Sequence, residues 1–250
     1  MSQKSLKNKV AVVTGASTGI GRAIAVKLAK NGATVFLLAR TEKKLQETRD
    51  LIGKAGSKAE IIIVDLSQIE NINHATDEIK SKTSTVDILV NVAGIWHGPD
   101  EVYAGRDFEE FSQETILNTY SVGLTAPTLL CHAFIPLMPA GGKIINISGT
   151  FENGSRGWLP YYVSKRAIED LTVGLSEELK RKNIQVNCIS PSDAATEAYK
   201  KYFPQYIGEA INPEKIAEFS VYLCSQEAKN VTGKIFVLKK DNNPYEKFHA

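Results

Sequence analysis

Thr14-Gly15-Ala16-Ser17-Thr18-Gly19-Ile20-Gly21 follows directly on the apolar run Val10–Val13 and leads into a helical pattern. Its glycines fall at 15, 19 and 21, in a turn between a strand and a helix. Glycine lets the backbone turn tightly and come close to a ligand, and a helix N-terminus offers unpaired N–H groups to negative charge. A strand–glycine turn–helix unit of this kind, placed first in the chain, suits the pyrophosphate of a dinucleotide.

Outward from that turn, short β-rich runs alternate with longer helical segments. The strands are expected at Val10–Thr14, Thr34–Ala39, Glu60–Val64, Ile88–Asn91, Lys143–Ile147, Gln185–Ile189 and Lys234–Leu238. Most are near-continuous Val, Ile and Leu, as in strands buried on both faces. Helices are expected at Gly21–Asn31, Glu42–Ala55, Ser67–Lys82, Phe108–Leu137 and Tyr161–Lys182, with Gly32, Gly56 and Asn183 as left-handed caps. The alternation predicts an α/β fold: a Rossmann-type, doubly wound parallel sheet with helices on both faces. No linker or repeat interrupts it, so residues 1–250 are read as one domain.

Composition narrows the functions. Thirty Lys and Arg against 28 Asp and Glu give a formal charge of +2, which provides no electrostatic case for nucleic acid as a partner. Lys43-Lys44 and Lys239-Lys240 read as solvated faces. The 3 cysteines, Cys131, Cys188 and Cys224, form no CxxC pair; they suggest reduced thiols and a cytoplasmic protein, with Cys131 and Cys188 as small core residues. The 4 histidines have no metal-ligand spacing, and no metal is expected. The polar N-terminus is not a signal peptide, and no stretch approaches the length and apolarity of a membrane span.

Two further groups carry chemistry. The second strand ends Leu37-Leu38-Ala39-Arg40-Thr41, with no acid between Val35 and Thr41. An acid at this strand end binds the ribose 2′-hydroxyl of NAD, whereas Arg accommodates the 2′-phosphate of NADP, so NADP is favoured over NAD. Tyr161 and Lys165 are four apart at the start of a helix and share one face. A tyrosine hydroxyl ordinarily titrates near ~10, and a neighbouring ammonium is expected to lower that value, making Tyr161 an acid or base. Ser148, at the end of the fifth strand, offers a hydroxyl that can polarise a carbonyl.

The glycine turn resembles the Thr-Gly-x-x-x-Gly-x-Gly motif of the short-chain dehydrogenase/reductase family. The resemblance continues through Asp65, Asn91-Val92-Ala93-Gly94, Tyr161-x-x-x-Lys165, Asn187, Pro191 with Thr196, and Val231-Thr232-Gly233. It implies a sheet of about seven strands, a homotetramer or dimer, and hydride transfer between a nicotinamide cofactor and a small carbonyl or secondary alcohol. The family's 3-oxoacyl thioester reductases are the closest familiar activity. By the same resemblance Gly15, Ser17, Thr18, Gly19, Ile20, Gly21, Arg40, Asp65, Leu66, Asn91, Ala93, Gly94, Pro191 and Thr196 surround the cofactor. Tyr161 exchanges the proton with the substrate oxygen, and Lys165 also binds the nicotinamide ribose.

Departures from the pattern keep alternatives open. Ser148 stands 13 residues before Tyr161, the usual family separation, but alignment on the strand puts Gly149 at the catalytic serine's place, with Thr150 as a second donor. Gly123 stands where the family has an asparagine that holds a water beside the lysine. Ser192 replaces a usual glycine, and Lys239-Lys240-Asp241-Asn242-Asn243 replaces Asp-Gly-Gly. A non-catalytic dinucleotide sensor and a dehydrogenase of a sugar or secondary metabolite are the other readings. Glu197–Asn212, with Tyr199, Tyr202, Phe203 and Tyr206, is expected to be a substrate lid, and Trp96, His97 and Trp158 are expected near the pocket.

Overall fold

A computed structural model describes residues 5–98, 100–151 and 156–249. Strands β1 (Val10–Thr14), β2 (Thr34–Ala39), β3 (Ala59–Ile63), β4 (Ile88–Asn91), β5 (Lys143–Ile147), β6 (Gln185–Pro191), β7 (Ile235–Leu238) and β8 (Tyr245–Glu246) form one 8-stranded sheet. Its order is β3-β2-β1-β4-β5-β6-β7-β8, parallel except for the last pair. The order reverses between β1 and β4, which opens a crevice at the carboxyl ends of those strands.

Side chains alternate across each strand, so a single run supplies two cores. Ala11, Val13, Leu37 and Ile145 face one layer, with α1 (Gly19–Lys30), α2 (Glu42–Lys54) and α8 (Pro213–Cys224). Val12, Leu38, Leu89 and Ile144 face the other, with α3 (Ile69–Lys82), α5 (Ala126–Phe134) and the C-terminal part of α6 (Leu159–Glu178). Each fully buried Leu or Ile contributes about 1.5–3 kcal/mol. Cys131, Cys188 and Cys224 are free and buried. Gly32, Gly56 and Asn183 take positive φ, as expected of caps.

The differences from expectation have local causes. The single helix expected over Phe108–Leu137 is instead a short 3-10 turn, α4 (Gln113–Tyr120), a π turn over Ser121–Thr125, α5 and another 3-10 turn. One 18-residue window of the 25-residue helical run from Gln113 to Leu137 reaches mean hydropathy 1.2, a pattern that a buried core helix shares with a membrane span. Here it lies against the sheet, with Val122, Ala126, Leu130 and Phe134 in the core. The lid segment contains α7 (Glu197–Tyr202), and α8 was not expected at all. Strand β8, also unexpected, adds Tyr245 and Glu246 antiparallel to β7.

Candidate active site

The glycine turn is built by close approach. Gly15 and Gly19 have φ of +63° and +53°, which side chains rarely adopt. A Cβ on Gly15 would lie 3.2 Å from the backbone of Ala93, and one on Gly19 would lie 3.0 Å from Thr196 Cγ2. Thr14 Oγ1 accepts hydrogen bonds from the Val92 and Ala93 amides at 2.9 and 3.2 Å, tying β1 to the segment after β4. Arg22 Nε donates to Ser17 O at 2.9 Å and fixes the far side of the turn. Helix α1 has no acid in its first turn and no side-chain cap, so its positive end faces the crevice unneutralised.

The crevice is a cavity of about 1240 Å³. Of the residues expected around the cofactor, Gly15, Ser17, Thr18, Gly19, Ile20, Gly21, Arg40, Asp65, Leu66, Ala93, Gly94, Pro191 and Thr196 line it, as do Ser148, Tyr161 and Lys165. Asn91 does not. It is buried, donating to Asn146 Oδ1 at 2.9 Å, while Asn146 donates to Thr172 Oγ1 at 2.9 Å. Asn91 therefore braces β4 against β5 and α6 from beneath the cavity. Lys44, expected to be a solvated surface residue, lines the cavity with Arg40 and Thr41. Its position in the first turn of α2, just after the strand end that carries Arg40, was the available signal. Glycine spaces that a Cβ would fill, an uncapped helix start and nearby cations together fit the phosphates of a dinucleotide.

At the other end, Tyr161 and Lys165 stand on the first turns of α6. Lys165 is buried and its Nζ donates to Ile147 O at 2.8 Å, 5.3 Å from the centre of the Tyr161 ring. A Cβ on Gly94 would sit 3.2 Å from Lys165 Nζ, so this glycine makes room for the ammonium. Burial lowers Lys165 to about 8. The expectation of a tyrosine made more acidic is not met: burial, aided by the negative field of Asp193, pushes the Tyr161 phenol above its ordinary value. Desolvation opposes the phenolate here, and the phenol stays protonated through the neutral range.

Ser148 also differs from expectation. It is buried, and its Oγ donates to Glu169 Oε1 at 2.7 Å. Glu169, fully buried on α6, also accepts from the His249 amide at 2.8 Å and lies 3.5 Å from Arg166 Nη1. The Ser148 hydroxyl is thus committed to this carboxylate. Among the described residues, a Cβ built on Gly149 would meet nothing nearer than Phe151 at 3.8 Å, and the strand-aligned serine position carries no hydroxyl. Thr150 lines the cavity, its amide held by Pro191 O at 3.1 Å. Sequence reasoning missed Glu169, because an acid four residues after a lysine reads as a surface ion pair.

Gly123 lies in the π turn between α4 and α5, where a Cβ would come within 2.8 Å of both Ser164 Cβ and Oγ. The π turn and α6 meet too closely there for a side chain unless one of them shifts. Trp96, His97, Trp158, Tyr199, Tyr202, Phe203 and Tyr206 all line the cavity, and Phe151 joins them.

Residues 9–207 match the short chain dehydrogenase family. The chain is 31% identical over 246 residues to the 3-oxoacyl-(acyl-carrier-protein) reductase of Aquifex aeolicus, covering 92% of this chain and 95% of that one. It is 34% identical over 248 residues to the 7alpha-hydroxysteroid dehydrogenase of Clostridium sardiniense, covering 93% and 92%. Among solved structures, the landomycin C-6 ketoreductase LanV with bound NADP and rabelomycin superposes with a TM-score of 0.82 at 30% identity, covering 93% of this chain and 95% of that one.

Proposed function

The chain belongs to the short-chain dehydrogenase family and is an NAD(P)-dependent oxidoreductase, and from that premise we propose that it reduces the carbonyl of a small molecule with NADPH. The observation that carries this reading is one cavity holding the glycine turn, Arg40 with Lys44 at one end, and Tyr161 with Lys165 at the other. The nicotinamide supplies hydride when bound. The Tyr161 hydroxyl, held protonated by burial, is the proton donor to the carbonyl oxygen. Lys165, anchored to Ile147 O, orients the phenol and binds the ribose. Thr150, rather than Ser148, donates the hydrogen bond that polarises the carbonyl, because the Ser148 hydroxyl is engaged by Glu169. Leu117 and Val163, exposed on α4 and α6, support a homo-oligomer.

The relatives act on different substrates, so membership alone selects none. A dinucleotide sensor is the second reading, favoured by Gly123 and Gly149, where the family's side chains are missing. A panel of ketones incubated with NADPH or NADH separates the two. NADPH oxidation supports the reductase, whereas nucleotide binding without turnover of any ketone supports the sensor.

Three outcomes are expected. Arg40→Ala raises the Kd for NADPH about 10- to 100-fold, the loss of a charge-assisted contact, and leaves NADH within about threefold; equal weakening of both defeats the 2′-phosphate assignment. Thr150→Val lowers kcat/KM about a hundredfold, the scale of losing one polarising donor. Ser148→Ala instead lowers the unfolding midpoint by removing the only hydroxyl donor shown to Glu169 Oε1 among the described residues, and the reverse pattern restores Ser148 as the donor. The third concerns pH. Burial lowers a base, so the Lys165 ammonium is lost as pH rises through about 8. The kcat/KM for NADPH, which reports groups of the free enzyme, falls above that pH. In Lys165→Arg the descending limb moves beyond pH ~10; an unmoved limb assigns it to another group.

A further inference from the structure

Aromatic side chains from three separate segments converge in front of Tyr161. Trp96 and His97 follow β4, Trp158 precedes α6, and Tyr202 and Phe203 come from the end of α7 and just beyond it. The Trp96 and Phe203 rings are near-parallel, 29° apart, with centroids separated by 6.2 Å. Trp158 lies 6.4 Å from Trp96, 6.2 Å from Phe203 and 6.5 Å from Tyr161 itself. Tyr202 stands edge-on to Trp96 at 6.0 Å. These two tryptophans are the only ones in the chain.

Such a group could merely seal its own loops. Two facts argue otherwise. Trp96, Trp158, Tyr202 and Phe203 are each only partly buried and line the cavity, so a share of their ring surface remains for a ligand. The group also stands directly beside the phenol, with the Trp158 ring centroid 6.5 Å from that of Tyr161, so a flat ring resting on its exposed faces lies within reach of the hydroxyl. Asp193, whose negative field reaches Tyr161, and Lys201, beside the Tyr202 ring, line the same cavity with opposite charges, so the surroundings of the box select neither an anion nor a cation.

Resting on the reductase reading, we propose that the substrate is an uncharged, planar aromatic ketone whose ring stacks in the box formed by Trp96, Trp158 and Phe203. A carbonyl conjugated to the ring withdraws electrons from it, which suits the electron-rich faces of tryptophan. The carbonyl then projects past Trp158 to the Tyr161 hydroxyl. A saturated ring of the same size fills the volume but presents no flat face.

The test is a matched pair, 1-tetralone and its saturated counterpart 1-decalone, with the N-acetylcysteamine thioester of acetoacetate as the acyl probe. Dissociation constants are measured by calorimetry on the protein saturated with NADP⁺, which separates binding from the lower intrinsic reactivity of a conjugated ketone. NADP⁺ binding is measured first. Its absence refutes the reductase reading and this proposal with it. With the cofactor bound, 1-tetralone is expected to bind at least about tenfold more tightly than either other probe. Phe203→Leu and Trp158→Leu should erase that preference, while Trp158→Phe, which retains a ring, should keep most of it. Unfolding midpoints and NADP⁺ affinity of each variant check that the fold is intact. Equal binding of tetralone and decalone, or a preference that survives both leucine variants, overturns the aromatic assignment and leaves the reductase reading standing.

Discussion

Tyr161→Phe lowers the turnover number for ketone reduction about a thousandfold, within the usual range for removing a general acid, and leaves the Kd for NADPH within roughly threefold. The substitution keeps the ring, which packs against Phe151 and Trp158 at centroid distances of 5.9 and 6.5 Å, so the cavity retains its shape. Only the hydroxyl is lost. Stopped-flow NADPH oxidation together with a fluorescence titration of NADPH separates chemistry from binding. Turnover that survives the substitution removes Tyr161 from the proton step. Loss of NADPH affinity to match the loss of rate assigns the hydroxyl to cofactor binding instead.

Gly21→Ala is expected to act at the opposite end of the cavity and by a different cause. The added Cβ would lie 2.2 Å from the Gly15 carbonyl oxygen and 2.6 Å from its carbon. Both are backbone atoms, so no side chain can swing aside. Helix α1 must move off the turn, and the amides that face the pyrophosphate move with it. Overpacking of this kind costs about 1–3 kcal/mol, which lowers the Tm of a chain this size by roughly 2–10 °C. The Kd for NADPH rises about a hundredfold or more, because the donors at the helix start lose their shared geometry. A folded Gly21→Ala protein with parental NADPH affinity contradicts the packing described for the turn.

Much of the sheet was legible because its strands are buried on both faces. β1, β2, β4 and β5 are almost wholly apolar runs, and their ends fall where expected. Strand β8 left no such mark, since Tyr245 and Glu246 are exposed and pair with β7 along one edge only. Helix α8 did carry a start signal: Asn212 Oδ1 caps the Glu214 amide at 2.9 Å, and Pro213 opens the first turn. The break between α4 and α5 did carry a mark, since Gly123 lies in the π turn and Pro127 falls in the first turn of α5. Within the site, the cofactor end was readable from glycine spacing and Arg40. For the polarising hydroxyl the sequence left Ser148 and Thr150 open. Counting back from Tyr161 favours Ser148, whereas strand alternation turns that side chain toward α6 and Glu169. The tyrosine's acidity was misjudged for a related reason, since a neighbouring cation is visible in sequence and the loss of water around a phenol is not.

The contact between Gly123 and Ser164 also constrains the order in which these two positions could change. An asparagine introduced at 123 alone would be driven into Ser164 and push α6, with its tyrosine and lysine, away from the sheet. The same asparagine becomes sterically admissible only once position 164 has first shrunk to glycine. A lineage could therefore acquire that side chain by one order of mutations and not by the other, and replacing residue 123 singly measures a helix displacement, not the worth of an added amide.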